Sequence, residues 1–308
     1  MKLYLSARIT NGRTALVLTA CFLAIFTFPA FAQDEDVITV DTPLVLLNAT
    51  VTDKDGKPSL GMRKDQFAVS EQGILQEIEI FETEETPFAA VILIDTSGSM
   101  EQRVSLARAA ALRFLDGLRA DDQAAIYNFD SKVTLVQDFS NLRDLYPRAY
   151  DLKASGWTVL YDAVYSAAQE LSKRPEKRKA IIVLSDGADT RSGRSASKAL
   201  DAAMDANATI YTVDMSGLNT GGTSRMQNRG VLKNFAEKTG GRFIETPGGV
   251  QMREAFENIV KELGIQYTIG YYPTDTRKDG KWRKIDLKVT PDSLKVRTRE
   301  GYNAPSRE

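Results

Sequence analysis

The chain has no histidine in its 308 residues. That removes the commonest zinc ligand, the commonest general base and the side chain whose charge switches near neutral pH. A serine hydrolase would lack its base. Cysteine is almost as scarce: the one copy, Cys21, sits inside an apolar N-terminal stretch. Removal of that stretch leaves neither a disulfide nor thiol chemistry. A large charge of one sign is also missing. The formal net charge is −1, so the balance gives no reason to expect nucleic acid. No G-x-x-x-x-G-K-S/T loop is present to cradle nucleotide phosphates.

What is present suffices for a packed core, with 43% apolar and 26% charged residues. The length corresponds to about two domains at roughly 100–200 residues each. Lys2, Arg8 and Arg13 precede an apolar run at 15–28, followed by Ala30-Phe31-Ala32 and the polar Gln33-Asp34-Glu35-Asp36. This pattern reads as a signal peptide over 1–32 and predicts an exported chain, periplasmic or extracellular. The run is shorter than the ~20 residues of a spanning helix. An uncleaved anchor is one alternative. A lipoprotein site at Cys21 is another, disfavoured because 22–31 stays apolar after the cysteine.

Three segments follow. Residues 37–83 read as a small β unit: Val45, Leu47, Ala49 and Val51 alternate with a mixed outer face, 53–58 is turn chemistry, 67–69 is a short strand and 74–81 alternates again. Residues 86–263 alternate strand and helix, with strands expected at 88–94, 123–129, 133–136, 179–185, 209–213 and 242–245. Helical spacing appears in Val104, Ala107, Ala111, Phe114 and Leu118, and again in Leu160, Val164, Ala167 and Leu171. That order predicts an α/β, doubly wound and mostly parallel sheet covered on both faces. The short link Asp130-Ser131-Lys132 adds one antiparallel edge hairpin. Residues 265–302 return to β, with strands at 266–272, 282–289 and 294–298, and are too few for a core of their own. They are expected to pack with 37–83 into one flanking β-sandwich. The acidic stretch 71–85 and the basic stretch 277–299 agree with such a pairing.

Three distant pieces converge in this scheme. Asp95-Thr96-Ser97-Gly98-Ser99 follows one apolar strand, Asp186-Gly187 follows another, and Thr158 lies in a third loop. Ligands of open α/β sheets bind outside the carboxyl ends of the strands. Asp95, Ser97, Ser99, Thr158 and Asp186 together offer two carboxylates and three hydroxyls, hard oxygen donors suited to Mg²⁺ or Mn²⁺, with Ca²⁺ also acceptable. The plainer alternative is a capped helix N-terminus, with Asp95 or Ser97 bonding backbone amides.

In these residues the chain resembles the von Willebrand factor A domain over roughly 86–263. The D-x-S-x-S, Thr and Asp pattern is that of the family's metal-ion-dependent adhesion site. The resemblance implies a Rossmann-like domain and a cation that lends one open position to a protein partner, which offers an acidic residue. Trp157 departs from the pattern, where the family often has glycine. With Arg225 and Arg229 in the Gly-, Asn- and Ser-rich stretch 216–230, it forms the expected partner-binding rim. More widely the chain resembles bacterial secreted proteins with related domains. That likeness is carried by Val51 to Pro58, Asp65-Gln66-Phe67, Glu71-Gln72-Gly73, Gly270-Tyr271-Tyr272-Pro273 and Arg299-Glu300-Gly301-Tyr302.

The sequence reading is therefore a secreted, non-enzymatic, metal-dependent binding or adhesion module. One alternative is a metal-free structural scaffold of an envelope assembly. The other is a metal-assisted hydrolase. A phosphatase with an aspartyl nucleophile wants a second acid two residues after Asp95, where Ser97 stands.

Overall fold

The computed structural model describes residues 44–306, except 84–85, 155, 217–222 and 246–248. The signal segment 1–32, with Cys21, lies outside the described residues.

The chain begins and ends in the same β-sandwich. Its first segment supplies β1 (Val45–Thr52), β2 (Phe67–Glu71), β3 (Ile74–Gln76) and β4 (Ile80–Glu82). The α/β part follows with β5 (Phe88–Asp95), α1 (Val104–Asp116), β6 (Gln123–Phe129), β7 (Val133–Ser140), α2 (Leu160–Ser172), β8 (Arg178–Ser185), α3 (Ala196–Asp205), β9 (Ala208–Asp214), α4 (Thr223–Thr239), β10 (Phe243–Glu245) and α5 (Gly249–Gly264). The chain then returns through β11 (Tyr267–Tyr271), β12 (Trp282–Val289), β13 (Lys295–Arg297) and β14 (Gly301–Asn303).

One sandwich sheet has the order β13-β1-β11-β4 and the other β14-β12-β2-β3. Each therefore mixes strands from the two segments, as the sequence leads one to expect. β1 runs antiparallel to β11, with Leu47 opposite Ile269 and Ala49 opposite Tyr267. Period-2 alternation turns Val45, Leu47, Ala49 and Val51 inward, where they meet Val69, Ile285, Leu287 and Val289 of the other sheet. Burial of each such large aliphatic is worth roughly 1.5–3 kcal/mol.

The stretch 74–81, expected as one strand, is two. β3 pairs with β2 in one sheet and β4 pairs with β11 in the other. Between them Ile78 turns into the core, and the Gln76 amide group bonds the backbone N–H and the hydroxyl of Thr274. Alternation continues across the crossing, so periodicity alone conceals it.

The central sheet has the order β10-β9-β8-β5-β6-β7, parallel except for the antiparallel pair β6–β7. Every residue of β5 and β9 is buried, the signature of strands covered on both faces. Val104, Phe114, Met252, Phe256 and Leu263, from α1 and α5, cover one face. Leu160, Val164, Leu171, Ala199, Leu232 and Phe235, from α2, α3 and α4, cover the other. Strand order reverses between β5 and β8, so the carboxyl ends of those two strands form the switch point. The Gly-, Asn- and Ser-rich stretch 216–230 is helical from Thr223 onward. There Val231, Leu232 and Phe235 pack on the sheet side and hold the helix in place.

Where sandwich and α/β part meet, the outer face of β1 and β11 is buried polar surface, not solvated: Asn48, Thr50 and Thr268 are all buried. Arg178, at the start of β8, is fully buried. Its Nε donates to the Thr268 hydroxyl (3.2 Å) and its two Nη atoms to the carbonyls of Thr83 (2.6 Å), Thr86, Leu263, Gly264 and Gln266. One guanidinium thus spans β11, the link into β5 and the C-terminal carbonyls of α5, where a cation also suits the helix dipole. Beside it, Glu262 Oε1 accepts from the hydroxyls of Tyr211 (2.7 Å) and Thr50 (3.3 Å) and from Arg297.

Within the sandwich, Glu71 Oε2 accepts from the hydroxyls of Tyr271 (2.8 Å) and Tyr302 (3.0 Å). Burial, and then Glu71, push both phenols above their ordinary range. Three of the motif pieces singled out in the sequence meet in this one knot. Tyr271 is core, whereas Tyr272 is exposed.

Candidate functional site

β5, and β8 from Ala180 onward, are apolar up to their final residues, Asp95 and Ser185, so the polar groups that end the two strands emerge together at the switch point. The Ser185 hydroxyl donates to Asp95 Oδ2 at 2.6 Å, and the Ser97 N–H donates to Asp95 Oδ1 at 2.9 Å. Ser185 Oγ also accepts the Gly187 N–H at 3.0 Å. Ser97 Oγ and Ser99 Oγ lie 3.2 Å apart and bond to each other. Thr96 is tied to β6 through the Phe129 carbonyl and the Asn128 amide. The Thr158 N–H bonds Thr190 Oγ1 at 2.9 Å, and the Thr158 carbonyl accepts from the backbone of Thr190 and Arg191. Asp186 Oδ1 accepts from the Ala188 N–H at 3.1 Å. Asp189 and Asp162 fasten the start of α2 to the loop 189–194.

The structure thus places Asp95, Ser97, Ser99, Thr158 and Asp186 on the loops at one edge of the sheet, but it corrects the chemistry read from them. Among the described residues no group of three or more His, Cys, Asp or Glu side chains could hold a metal ion. Only two of the five expected ligands are carboxylates, and both already accept bonds from the chain's own donors. Asp95 has no solvent exposure. The donor set does not fit a resident Mg²⁺, Mn²⁺ or Ca²⁺. The metal-ion-dependent adhesion site falls as a reading, and with it the acidic residue of a partner that was to complete the metal's shell. The plainer alternative holds only in part: Ser97 stands at the helix N-cap without a side-chain cap bond, and Asp95 is the acceptor that closes the turn leading into it. Sequence reasoning passed over Ser185, Thr96 and Asn128 as members of this network. A serine ending an apolar strand two residues before Gly187 was the available signal for the first.

The expected rim is divided. Trp157 is 51% exposed, its backbone N–H donates to Ser131 Oγ (3.1 Å), and the Arg191 guanidinium lies 4.7 Å over its ring. Gly156, just before it, has φ +76°, and a Cβ there would fall 2.5 Å from Ser131 Oγ, so glycine lets this loop close. Arg229 is engaged in the fold through ion pairs to Asp214 (3.2 Å) and Glu245. Arg225 Nε donates to Ser216 Oγ at 3.2 Å.

Burial pushes the Asp95 carboxyl up to about 6, against the opposing pull of the bonds from Ser185 and Ser97 and with a small upward push from Asp186. Below the ordinary carboxylate range the group is protonated both folded and unfolded, and the fold bears no penalty. As pH rises through about 6 the fold must hold a buried anion, so stability is lost in that direction. We expect Asp95→Asn to flatten this part of the profile by roughly 1–3 kcal/mol. Urea midpoints across the interval measure it, and equal slopes in parent and variant would refute the assignment.

Comparison with known proteins agrees with the central sheet. Residues 90–188 match the von Willebrand factor type A domain model. The uncharacterised protein sll0103 of Synechocystis sp. is 31% identical over 106 residues, which is 33% of this chain and 25% of that protein. The chain thus spans about a quarter of the length of the curated relative it matches. Among solved structures, a von Willebrand factor type A protein from Catenulispora acidiphila is similar at 14% identity, over 81% of this chain and 76% of that one, with a TM-score of 0.48. The vWF domain of the type V pili tip protein Mfa5 from Porphyromonas gingivalis is similar at 16% identity, over 58% and 95%, with a TM-score of 0.46. With the matched model running from inside β5 to just past β8, the two strands that flank the switch point, the chain contains a von Willebrand factor type A domain.

Proposed function

We propose that the chain is an exported, metal-free structural module of an envelope assembly, which presents the strand-end edge of its central sheet to a protein partner. The observation that carries this reading is the closed hydrogen-bond frame around Asp95, with an exposed tryptophan braced beside it. Internal bonds lock the loops without a ligand, and Trp157 is held by Arg191 and Ser131. A rigid, exposed tryptophan is what interface anchors are made of. In this reading Arg225 is a further rim residue and Arg229 a brace behind it. Residues 86–263 are one domain inserted into a second made of 37–83 and 265–302. The pattern over 1–32 supports export. Among the described residues no helix is long and apolar enough to cross a membrane. A chain without histidine supports a non-catalytic role.

The test places a photo-crosslinking residue at position 157 in the cells that make the protein, with position 173 as a control on another surface. The expected result is a discrete adduct from 157 only, in equal yield with chelator or with excess Mg²⁺. The melting temperature of the purified chain should also move by no more than about 1 °C between those conditions, because a ligand bound only to the folded state would raise it. An adduct that disappears with chelator, or that forms equally from 173, overturns the proposal.

A further inference from the structure

A second site lies away from the switch point, in a cleft of about 630 Å³ between α5 and the outer face of the first sandwich sheet. Its two walls follow from register. β1 pairs with β13 so that Thr50 stands opposite Arg297 and Thr52 opposite Lys295. Val51 and Val296 point to the sandwich core between them, so those four side chains share the outward face. The facing wall is α5, where Asn258, Lys261 and Glu262 occur at i, i+3 and i+4 and therefore lie on one stripe. Arg242, ahead of β10, completes the rim.

The charge is one-sided. Arg242, Lys261, Lys295 and Arg297 line the cleft against two carboxylates, Asp55 and Glu262. Glu262 is buried and its Oε1 is already shared among Tyr211, Thr50 and Arg297. Arg297 is fixed from behind, its Nη1 donating to the Gly240 carbonyl at 2.9 Å. Among the described residues Lys261 and Lys295 make no ion pair, and both are exposed. The fixed guanidinium of Arg297, the Arg242 guanidinium 3.7 Å from Glu262 Oε2, two ammonium groups with no carboxylate of their own and neutral donors on Thr52 and Asn258 make a cavity of the size that holds small ligands, and its excess charge is positive. Among the described residues no aromatic ring lines it, so they supply no flat apolar platform on which sugars or bases stack.

We propose that this cleft binds a small polyanion, a molecule with two or more phosphate or carboxylate groups spaced to meet both walls. Because the walls belong to α5 and to the sandwich, the bound anion bridges them.

The test is calorimetric titration of the full chain with pyrophosphate and, separately, with citrate at low ionic strength, where screening is weakest. Saturable one-to-one binding of either is expected, and the tighter of the two names the group preferred. The exposed pair Lys261→Gln/Lys295→Gln should weaken it at least about tenfold without changing the urea midpoint, since each contact removed is a charge-assisted bond. Lys173→Gln/Lys233→Gln, at a distance from the cleft, should leave it unchanged. Absence of binding by both anions, or equal weakening in the two double variants, overturns the proposal.

Discussion

Arg178→Met is expected to lower the stability of the chain by roughly 3–5 kcal/mol, with a fall in melting temperature on the order of 10 °C. The reason is the number of acceptors that one side chain serves. Its guanidinium is fully buried and meets a hydroxyl and five backbone carbonyls drawn from three parts of the chain. Methionine fills similar volume but donates nothing, so these carbonyls lose a donor, although Thr86 keeps the Arg119 Nη2 (3.0 Å), and two or three groups left unpaired at about 1–3 kcal/mol each account for the loss. Arg178→Lys keeps the charge and one end of the reach, but not the planar fork, and should recover only part of the loss. Denaturant unfolding of the three proteins decides it. A methionine variant within about 1 kcal/mol of the parent would mean that water replaces the guanidinium, and that the junction is not held by it.

The second large effect is expected inside the sandwich. Tyr271→Phe with Tyr302→Phe removes both donors to Glu71 Oε2 while leaving ring volume unchanged. Glu71 is 2% exposed, so its carboxyl group is stranded, and the double variant should lose roughly 2–5 kcal/mol. Adding Glu71→Leu should restore much of that loss, because removing all the polar partners of a buried network is far less costly than removing some of them. If the triple variant is no more stable than the double one, the cost lies in ring packing and not in the hydrogen bonds.

The fold was legible where burial is two-sided and repetitive. The runs 88–94 of β5 and 180–184 of β8 are continuously apolar, and helical spacing between them dictates a layered α/β arrangement. The alternation of Val45, Leu47, Ala49 and Val51 likewise announced a half-buried strand. What escaped were features whose cause lies in tertiary contact. The run 74–81 keeps its alternation while changing sheets, so the crossing at Ile78 leaves no mark in the pattern. The stretch 216–230 looks like a loop by composition. Its helical part is stabilised by Leu232 and Phe235, which lie beyond it. At the switch point the residues were found and the chemistry was misread. Serines and aspartates at strand ends serve equally as ligands of a hard cation and as caps for one another. The choice turns on where Ser185 and the Ser97 N–H direct their hydrogen atoms, which a one-dimensional string does not record. Glu71, Tyr271 and Tyr302 were noticed as separate motif fragments, and only their convergence explains why they occur together.

The sandwich draws each of its two sheets from segments that lie on both sides of the α/β part. Leu47, for example, pairs with Ile269. During synthesis the strands of the α/β sheet are therefore all present while β1 to β4 still wait for β11 to β14 with open hydrogen-bonding edges. Contacts of such long sequence separation close slowly, and unpaired edges recruit foreign strands. A chain interrupted after α5 would present a completed central layer beside the β2–β3 hairpin and two strands, β1 and β4, with no partner, a form that proteases and chaperones can distinguish from the finished molecule. Pairing of β11 to β14 completes both sandwich sheets, and Arg178, which reaches β11 from β8, ties that completion to the central sheet.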